Sequence, residues 1–322
     1  MLACSCVSQS ADDPLSGLEV GDVQAPEPPE GWVAVDVRAT ALNHHDLWSL
    51  RGIGLGEDEL PMILGCDAAG TLEDGSEVVV HAVIGDPERG GGDETLDPKR
   101  TLLSEHHPGT LAERVWVPER NVVPKPAALS WEESACLSTA WLTAYRMLTT
   151  RSGLDGPGTV LVQGAGGGVA TAAVQLAKAL GHTVFVTSRD ADKRADAEKL
   201  GADAAIESGE RAPEKCDVVL ETVGEATWKH SLRSLKPGGR IVVAGATSGQ
   251  SPSAELNRVF FLQLEIVGST MGTRGELESM LELMAETGTK PTISGSWALG
   301  DAREAFEVMA RGEPFGKLVL TV

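Results

Sequence analysis

Residues 160–181 read VLVQGAGGGVATAAVQLAKALG, and this stretch decides the fold. Val160, Leu161 and Val162 form a short apolar run of the kind buried in a parallel sheet. A glycine-rich turn follows at Gly164, Gly166, Gly167 and Gly168. The spacing then predicts a small-residue helix over Val169–Leu180, with Gly181 placed to stop it. A strand, a glycine turn and a helix N-terminus together make an anion site. Backbone N–H groups and the helix dipole converge there, and residues without a Cβ let a pyrophosphate approach the main chain. The G-x-G-x-x-G/A fingerprint registers best with Ala165, Gly167 and Ala170 in its three small positions, so that Gly167 faces the pyrophosphate and Gly168 and Val169 open the helix beside it.

The next apolar run, Val184–Val186, reads as the second strand and ends in Thr187-Ser188-Arg189-Asp190. An NAD site usually carries an acid at this tip, where it binds the ribose 2′-hydroxyl. Here a hydroxyl and a guanidinium stand there instead, with Lys193 and Arg194 close behind. An acid repels a 2′-phosphate, whereas Arg189 attracts one and can bind it bidentately, so Ser188, Arg189 and Lys193 point to NADPH. Two plainer arrangements stay open. The cations can form a solvated face with Asp190 and Asp192, or Asp190 can turn toward a ribose.

Outward from this unit, strand and helix patterns alternate. Strands are expected near Val160, Val184, Val218–Leu220, Ile241–Ala244 and Ile266–Val267, which implies an α/β fold with a doubly wound parallel sheet. Residues 1 to about 125 are strand-rich and broken by Pro and Gly; Trp32–Val37 alternates, and Val78–Val80 reads as buried. Met1–Gln9 fits a strand only loosely, and residues 85–110 read as a polar, partly mobile loop. Ser130 and Glu133 form a capping-box pattern that opens a helix expected over Trp131–Leu148. Beyond residue 275 come two helical patterns, Glu276–Glu286 and Asp301–Arg311, and a closing strand, Lys317–Val322. The division expected is 1–130, 131–272 and a returning segment, 273–322.

The 322 residues are 42% hydrophobic and carry a net charge of −20. That charge argues against nucleic acid and anionic membranes as partners and leaves a small-molecule substrate. Cys4, Cys6, Cys66, Cys136 and Cys216 are odd in number and scattered, which fits a reducing cytoplasm better than a disulfide framework. There is no apolar stretch of membrane-spanning length and no signal-peptide pattern.

Eight pieces, the glycine turn among them, resemble in order and spacing the medium-chain dehydrogenase/reductase superfamily, especially its quinone oxidoreductase-like branch. They are Ala41–Trp48 (ALNHHDLW), Pro61–Gly70 (PMILGCDAAG), Gly109–Glu113, Thr143–Tyr145, the glycine turn, Gly238–Ile241, Gly268–Met271 and Gly316–Val319. The resemblance implies a GroES-like, β-rich catalytic domain, a Rossmann domain and a nicotinamide held in the cleft between them. It also implies cofactor contacts from Thr143, from Gly245, Ala246 and Thr247 at a strand end, and from Ser269, Thr270 and Met271. A homodimer through the sheet near Ile266 is expected, as in relatives.

Many superfamily members hold a catalytic zinc. The matching ligand positions here are Asn43, Cys66 and Thr139, and two of these are poor zinc ligands, so no metal is expected. The relatives' structural zinc needs four cysteines, and residues 85–110 contain none. Without a metal to activate a hydroxyl, an acceptor that spreads charge by conjugation is favoured: a quinone, enone or enal, with the protein positioning the reactants and excluding water. Asn43, His45, Asp46 and Trp48 are the candidate catalytic residues. Asn43 can bond a substrate carbonyl or the ribose, Asp46 orients neighbours, and Trp48 replaces the tyrosine of quinone reductase relatives. His45 or water supplies a proton. Asn43 and Asp46 equally fit a helix cap. Two alternatives stand beside this reading: a zinc alcohol dehydrogenase, and an NADPH-binding protein without turnover.

Overall fold

The loosely patterned N-terminus is a strand in the computed structural model, which describes all 322 residues. In β1 (Leu2–Cys6), Cys4 and Cys6 are fully buried. The strand pairs antiparallel with β2 (Leu18–Asp22) and with β4 (Met62–Ile63). Between those two lie β3 (Trp32–Ala41) and helix α1 (His44–Leu50). Further on come β5 (Asp67–Thr71), β6 (Glu77–Val80), a short hairpin of β7 (Val83–Ile84) and β8 (Thr101–Leu102), β9 (Arg114–Pro118) and β10 (Val122–Pro124).

The helix expected over Trp131–Leu148 exists but is interrupted. Its capping box forms, and Ser130 Oγ accepts the Glu133 N–H at 3.1 Å. The first turns, α2 (Trp131–Ser134), give way to a wider π-helical turn at Leu137–Trp141 before α3 (Leu142–Thr149). The chain changes compact unit at this point. One unit is Met1–Leu142 with Met271–Glu286 and Lys290–Val322; the other is Thr143–Thr270 with Thr287–Thr289. The boundary falls at Leu142, later than residue 130, because α2 packs on β3 and β5 and the wide turn packs on β5 and β6.

The second unit runs β11 (Thr159–Val162), α4 (Gly168–Ala179), β12 (Thr183–Ser188), α5 (Ala191–Lys199), β13 (Ala204–Glu207), β14 (Cys216–Glu221), α6 (Glu225–Ser234), β15 (Leu235–Val243), α7 (Leu256–Phe261) and β16 (Glu265–Gly268). All six strands are parallel, in the order β13-β12-β11-β14-β15-β16. This is the doubly wound order, with its switch point between β11 and β14. β13 lacks a continuous apolar run and was not expected. Leu161, Val219, Ile241 and Leu232 are buried at the core of this unit.

The chain then returns to the first unit as α8 (Arg274–Thr287), β17 (Ile293–Ala298), α9 (Ala302–Ala310) and β18 (Lys317–Thr321). Ala302, Ala305, Phe306 and Met309 follow helical spacing and bury one face of α9 against Leu50, Leu64 and Leu111. β18 completes a seven-stranded sheet in the order β10-β6-β5-β3-β18-β17, with β9 on the far half of β3. The GroES-like fold and the Rossmann-like sheet are thus both present. No helix is long and apolar enough to cross a membrane.

Residues 85–110 are more ordered than their composition suggests. The Asp97 carboxylate, wholly buried, accepts from Arg89 Nε (3.0 Å) and Nη2 (2.7 Å) and from the backbone N–H groups of Asp86 (2.8 Å) and Lys99 (2.9 Å). Glu94 is also buried and accepts the Arg274 N–H at 2.7 Å. One carboxylate therefore gathers the lobe by charge-assisted hydrogen bonds.

Candidate functional site

The glycine turn sits at the carboxyl edge of β11, at the switch point where doubly wound sheets bind ligands. Gly164 adopts φ +83°, which a residue with a Cβ rarely does. Gly167 is exposed, and a Cβ built there meets nothing within 4 Å. The N–H groups of Ala165, Gly166 and Gly167 donate to no group of the chain. Helix α4 begins at Gly168 and has no side-chain cap. Free N–H groups, open space above Gly167 and the positive end of a twelve-residue helix fit a dinucleotide pyrophosphate.

Beside the turn, β12 ends at Ser188, which is buried, and Arg189 is exposed with no partner. Asp190 does not turn toward this edge. Its Oδ1 caps α5, accepting the N–H groups of Asp192 (2.9 Å) and Lys193 (3.2 Å). Arg194 is held by the Ser188 carbonyl at 2.7 Å. Of the charges at the tip, Arg189 is the guanidinium left free for a ligand. Gly245–Thr247 follow β15 and Ser269 and Thr270 follow β16, at the same edge of the sheet. Thr143 is buried at the start of this unit, whereas Met271 belongs to the other one and is buried in its core.

The first unit holds the remaining candidates. Asp46 is wholly buried, and both oxygens accept backbone N–H groups: Oδ2 from Asn43 at 2.8 Å and Oδ1 from Gly65 at 3.1 Å. Gly65 lies at φ +101°, and a Cβ there would come within 2.8 Å of the Leu111 nitrogen. Burial pushes the Asp46 carboxyl upward, against the pull of His45 and the Asn43 N–H. Asp46 thus fixes the start of α1.

Asn43 is bound into the protein. Its Nδ2 donates to Asp67 Oδ2 at 2.9 Å and its Oδ1 accepts from Lys317 Nζ at 2.6 Å. Lys317 also donates to Asp67 Oδ2 at 2.9 Å and to the Leu42 carbonyl at 2.8 Å, which occupies all three of its protons. Lys317 and Asp67 are buried, a pair with no local sign in the sequence.

His45 faces a different partner, also missed in the sequence. Its Nε2 lies 2.9 Å from Glu105 Oε1, with both side chains about four-fifths buried (17% and 22% exposed). Its Nδ1 lies 3.7 Å from Cys66 Sγ, and the thiol donates to the Leu103 carbonyl at 3.3 Å. Burial raises the Cys66 thiol, so the sulfur keeps its proton at neutral pH. Burial alone would depress His45, but its neighbours hold the imidazole well above its ordinary value. The upward pull comes from Cys66 first, then from Glu105 and from Asp46 behind it. Trp48 is half-buried on the same helix.

These residues do not fit a tetrahedral zinc. No three His, Cys, Asp or Glu side chains gather in metal-binding geometry. Of the superfamily's ligand positions, Asn43 is spent on Lys317 and Asp67, and the Thr139 hydroxyl is a weak donor that has no partner.

Two family models match the chain: the alcohol dehydrogenase GroES-like domain over residues 29–127 and the zinc-binding dehydrogenase over residues 168–286. An acryloyl-coenzyme A reductase of Metallosphaera sedula is 32% identical, covering 95% of this chain and 96% of that protein. A crotonyl-CoA reductase of Streptomyces avermitilis is 28% identical, covering 95% of this chain and 82% of its own length. The solved structure of an NAD-dependent alcohol dehydrogenase matches over 100% of both chains, with a TM-score of 0.90 and 34% identity. Joined to the doubly wound sheet, the glycine turn and the GroES-like unit, these likenesses show that the chain is an oxidoreductase of the medium-chain dehydrogenase/reductase superfamily.

Proposed function

We propose that the chain is an NADPH-dependent reductase of carbon–carbon double bonds conjugated to a carbonyl, with enoyl thioesters as the leading substrate class, and that it needs no catalytic metal. The observation that carries this reading is the state of the zinc-ligand positions, where Asn43 is locked to a buried ammonium. A simple alcohol would find no Lewis acid there. A conjugated acceptor places the developing charge on its own carbonyl oxygen and needs less help. The acryloyl-CoA and crotonyl-CoA reductases among the relatives support the thioester.

NADPH, when bound, supplies the hydride. The N–H groups of Ala165, Gly166 and Gly167 and the α4 dipole would hold its pyrophosphate, and Arg189 would pair with its 2′-phosphate. Reduction of a conjugated acceptor would put hydride on the β-carbon and would then need a proton at the α-carbon. We assign that proton to His45, which Glu105 orients on Nε2, and the Trp48 indole N–H can donate a hydrogen bond but no proton. Asn43 and Asp46 position the segment.

A zinc alcohol dehydrogenase is the second reading, favoured by the 34% identity to an NAD-dependent alcohol dehydrogenase. A substrate panel with NADPH oxidation as readout separates the two. Turnover is expected on acryloyl-CoA or crotonyl-CoA, with quinones slower, in protein free of metal by elemental analysis. Alcohol oxidation lost to a chelator would overturn the proposal, and cofactor binding with no turnover across the panel would favour a binding protein. Arg189→Ala is expected to weaken NADPH binding about ten-fold or more and NADH binding hardly at all, since a charge-assisted pair contributes ~1.5–3 kcal/mol. Equal losses for both nucleotides would remove the 2′-phosphate role.

A further inference from the structure

A buried chain of polar side chains runs beneath the glycine turn and has been given no role so far. The Gly164 N–H donates to Thr187 Oγ1 at 3.2 Å, and the Thr187 hydroxyl donates to Gln163 Oε1 at 2.7 Å. Gln163 Nε2 donates to Ser231 Oγ at 2.9 Å and approaches His230 Nδ1 at 2.9 Å. Ser231 donates to Glu221 Oε2 at 2.6 Å. Glu221, wholly buried, also accepts the N–H groups of Val223 (2.8 Å) and Gly224 (3.0 Å) and the Thr227 hydroxyl at 2.9 Å.

The direction of every bond is forced. The Val223 and Gly224 N–H groups and the Thr227 hydroxyl all donate to Glu221, so Glu221 ends the chain as an acceptor, and Ser231 points its proton at it. Ser231 then accepts from the Gln163 amide, which turns the Gln163 carbonyl toward Thr187. Thr187 must give its proton to that carbonyl and present a lone pair to Gly164. On the side branch, His230 Nε2 donates to the Glu210 carbonyl at 2.7 Å, which leaves Nδ1 as an acceptor for Gln163. Burial lowers the His230 imidazole, in keeping with a neutral ring.

The relay thus joins two loops at the carboxyl edge of the sheet, one after β11 and one after β14. It takes up the N–H of Gly164, the first residue of the turn, at φ +83°. The next three N–H groups are left without partners in the chain. We infer that this one-way relay from Glu221 to Gly164 shapes the turn for a dinucleotide pyrophosphate, with Thr187 as a positioning residue for cofactor binding. It rests on the dinucleotide reading above, but not on the choice between NADPH and NADH or on the acceptor.

The test is titration calorimetry of the whole protein with NADPH and with NADH. Thr187→Val removes the hydroxyl while keeping the shape, and both dissociation constants are expected to rise about ten-fold, since both nucleotides carry the pyrophosphate. Thr187→Ser is expected to restore both. This pattern differs from that of Arg189→Ala, which should discriminate between the two nucleotides. Should Thr187→Val not fold, Glu221→Gln reverses the end of the relay and should weaken both nucleotides in the same way. In steady state the Michaelis constant for the cofactor should rise while that for the acceptor holds. Unchanged dissociation constants in a variant with a lowered melting temperature would mean a merely structural role and overturn the inference. If the wild-type protein binds neither nucleotide, the dinucleotide reading itself fails, and the relay's role falls with it.

Discussion

Lys317 is 3% exposed and uses every proton it has. Its pairing with Asp67 joins residues 250 positions apart. No local pattern could reveal it, because the contact exists only once β18 lies beside β3 and β3 beside β5. Asn43 and Asp46 are legible in the sequence as a helix start, but the buried contacts of Asn43 are not, since its partners come from distant strands. The energetic consequence is specific. Removing one member of a buried ion pair leaves the other charge unpaired in a poor solvent, a loss of ~3–5 kcal/mol. Lys317→Met is therefore expected to lower unfolding stability by about that much in urea melts, and adding Asp67→Asn should recover part of it. A loss under ~1 kcal/mol would show that the pair contributes as little as a surface bridge.

At the scale of elements, the segments read correctly are those whose signal is local. Helix α4, the strands β11 and β12 and the capping box at Ser130 each carry their own period, glycine or cap. The lobe at residues 85–110 has no such period, and its order comes from Asp97, whose partners include backbone groups that no composition can show. The Arg89 guanidinium, together with the Asp86 and Lys99 N–H groups, holds the Asp97 carboxyl well below the usual carboxylate range. A depressed folded value means that the ionised form supports the fold. That support is complete above the ordinary Asp value, about pH 4, and fades as pH falls below it. Asp97→Asn is expected to raise hydrogen exchange across residues 86–100 at pH 7, and the wild-type lobe should stay protected until pH drops below about 4. Equal protection in both proteins would remove Asp97 from this role.

At the scale of the whole molecule, β16 closes one edge of the parallel sheet with Ile266 45% exposed, and α7 presents Phe260 and Phe261 at 68% and 79% exposure. A bare edge strand beside exposed aromatics is a liability in a free monomer and a ready surface for a second copy. A homodimer is expected by sedimentation, and Phe261→Glu should shift it toward monomer; a wild-type monomer at all concentrations would contradict this. The order of the chain has a consequence for synthesis. Residues 143–270 are contiguous and hold a complete sheet, so this unit can close as soon as it leaves the ribosome. The other unit cannot, because β3 waits for β18, made about 275 residues later, and Asp67 has no countercharge until Lys317 arrives. Translation halted before residue 317 would therefore yield a folded nucleotide-binding half joined to an unfinished partner, a species that chaperones and proteases would meet first.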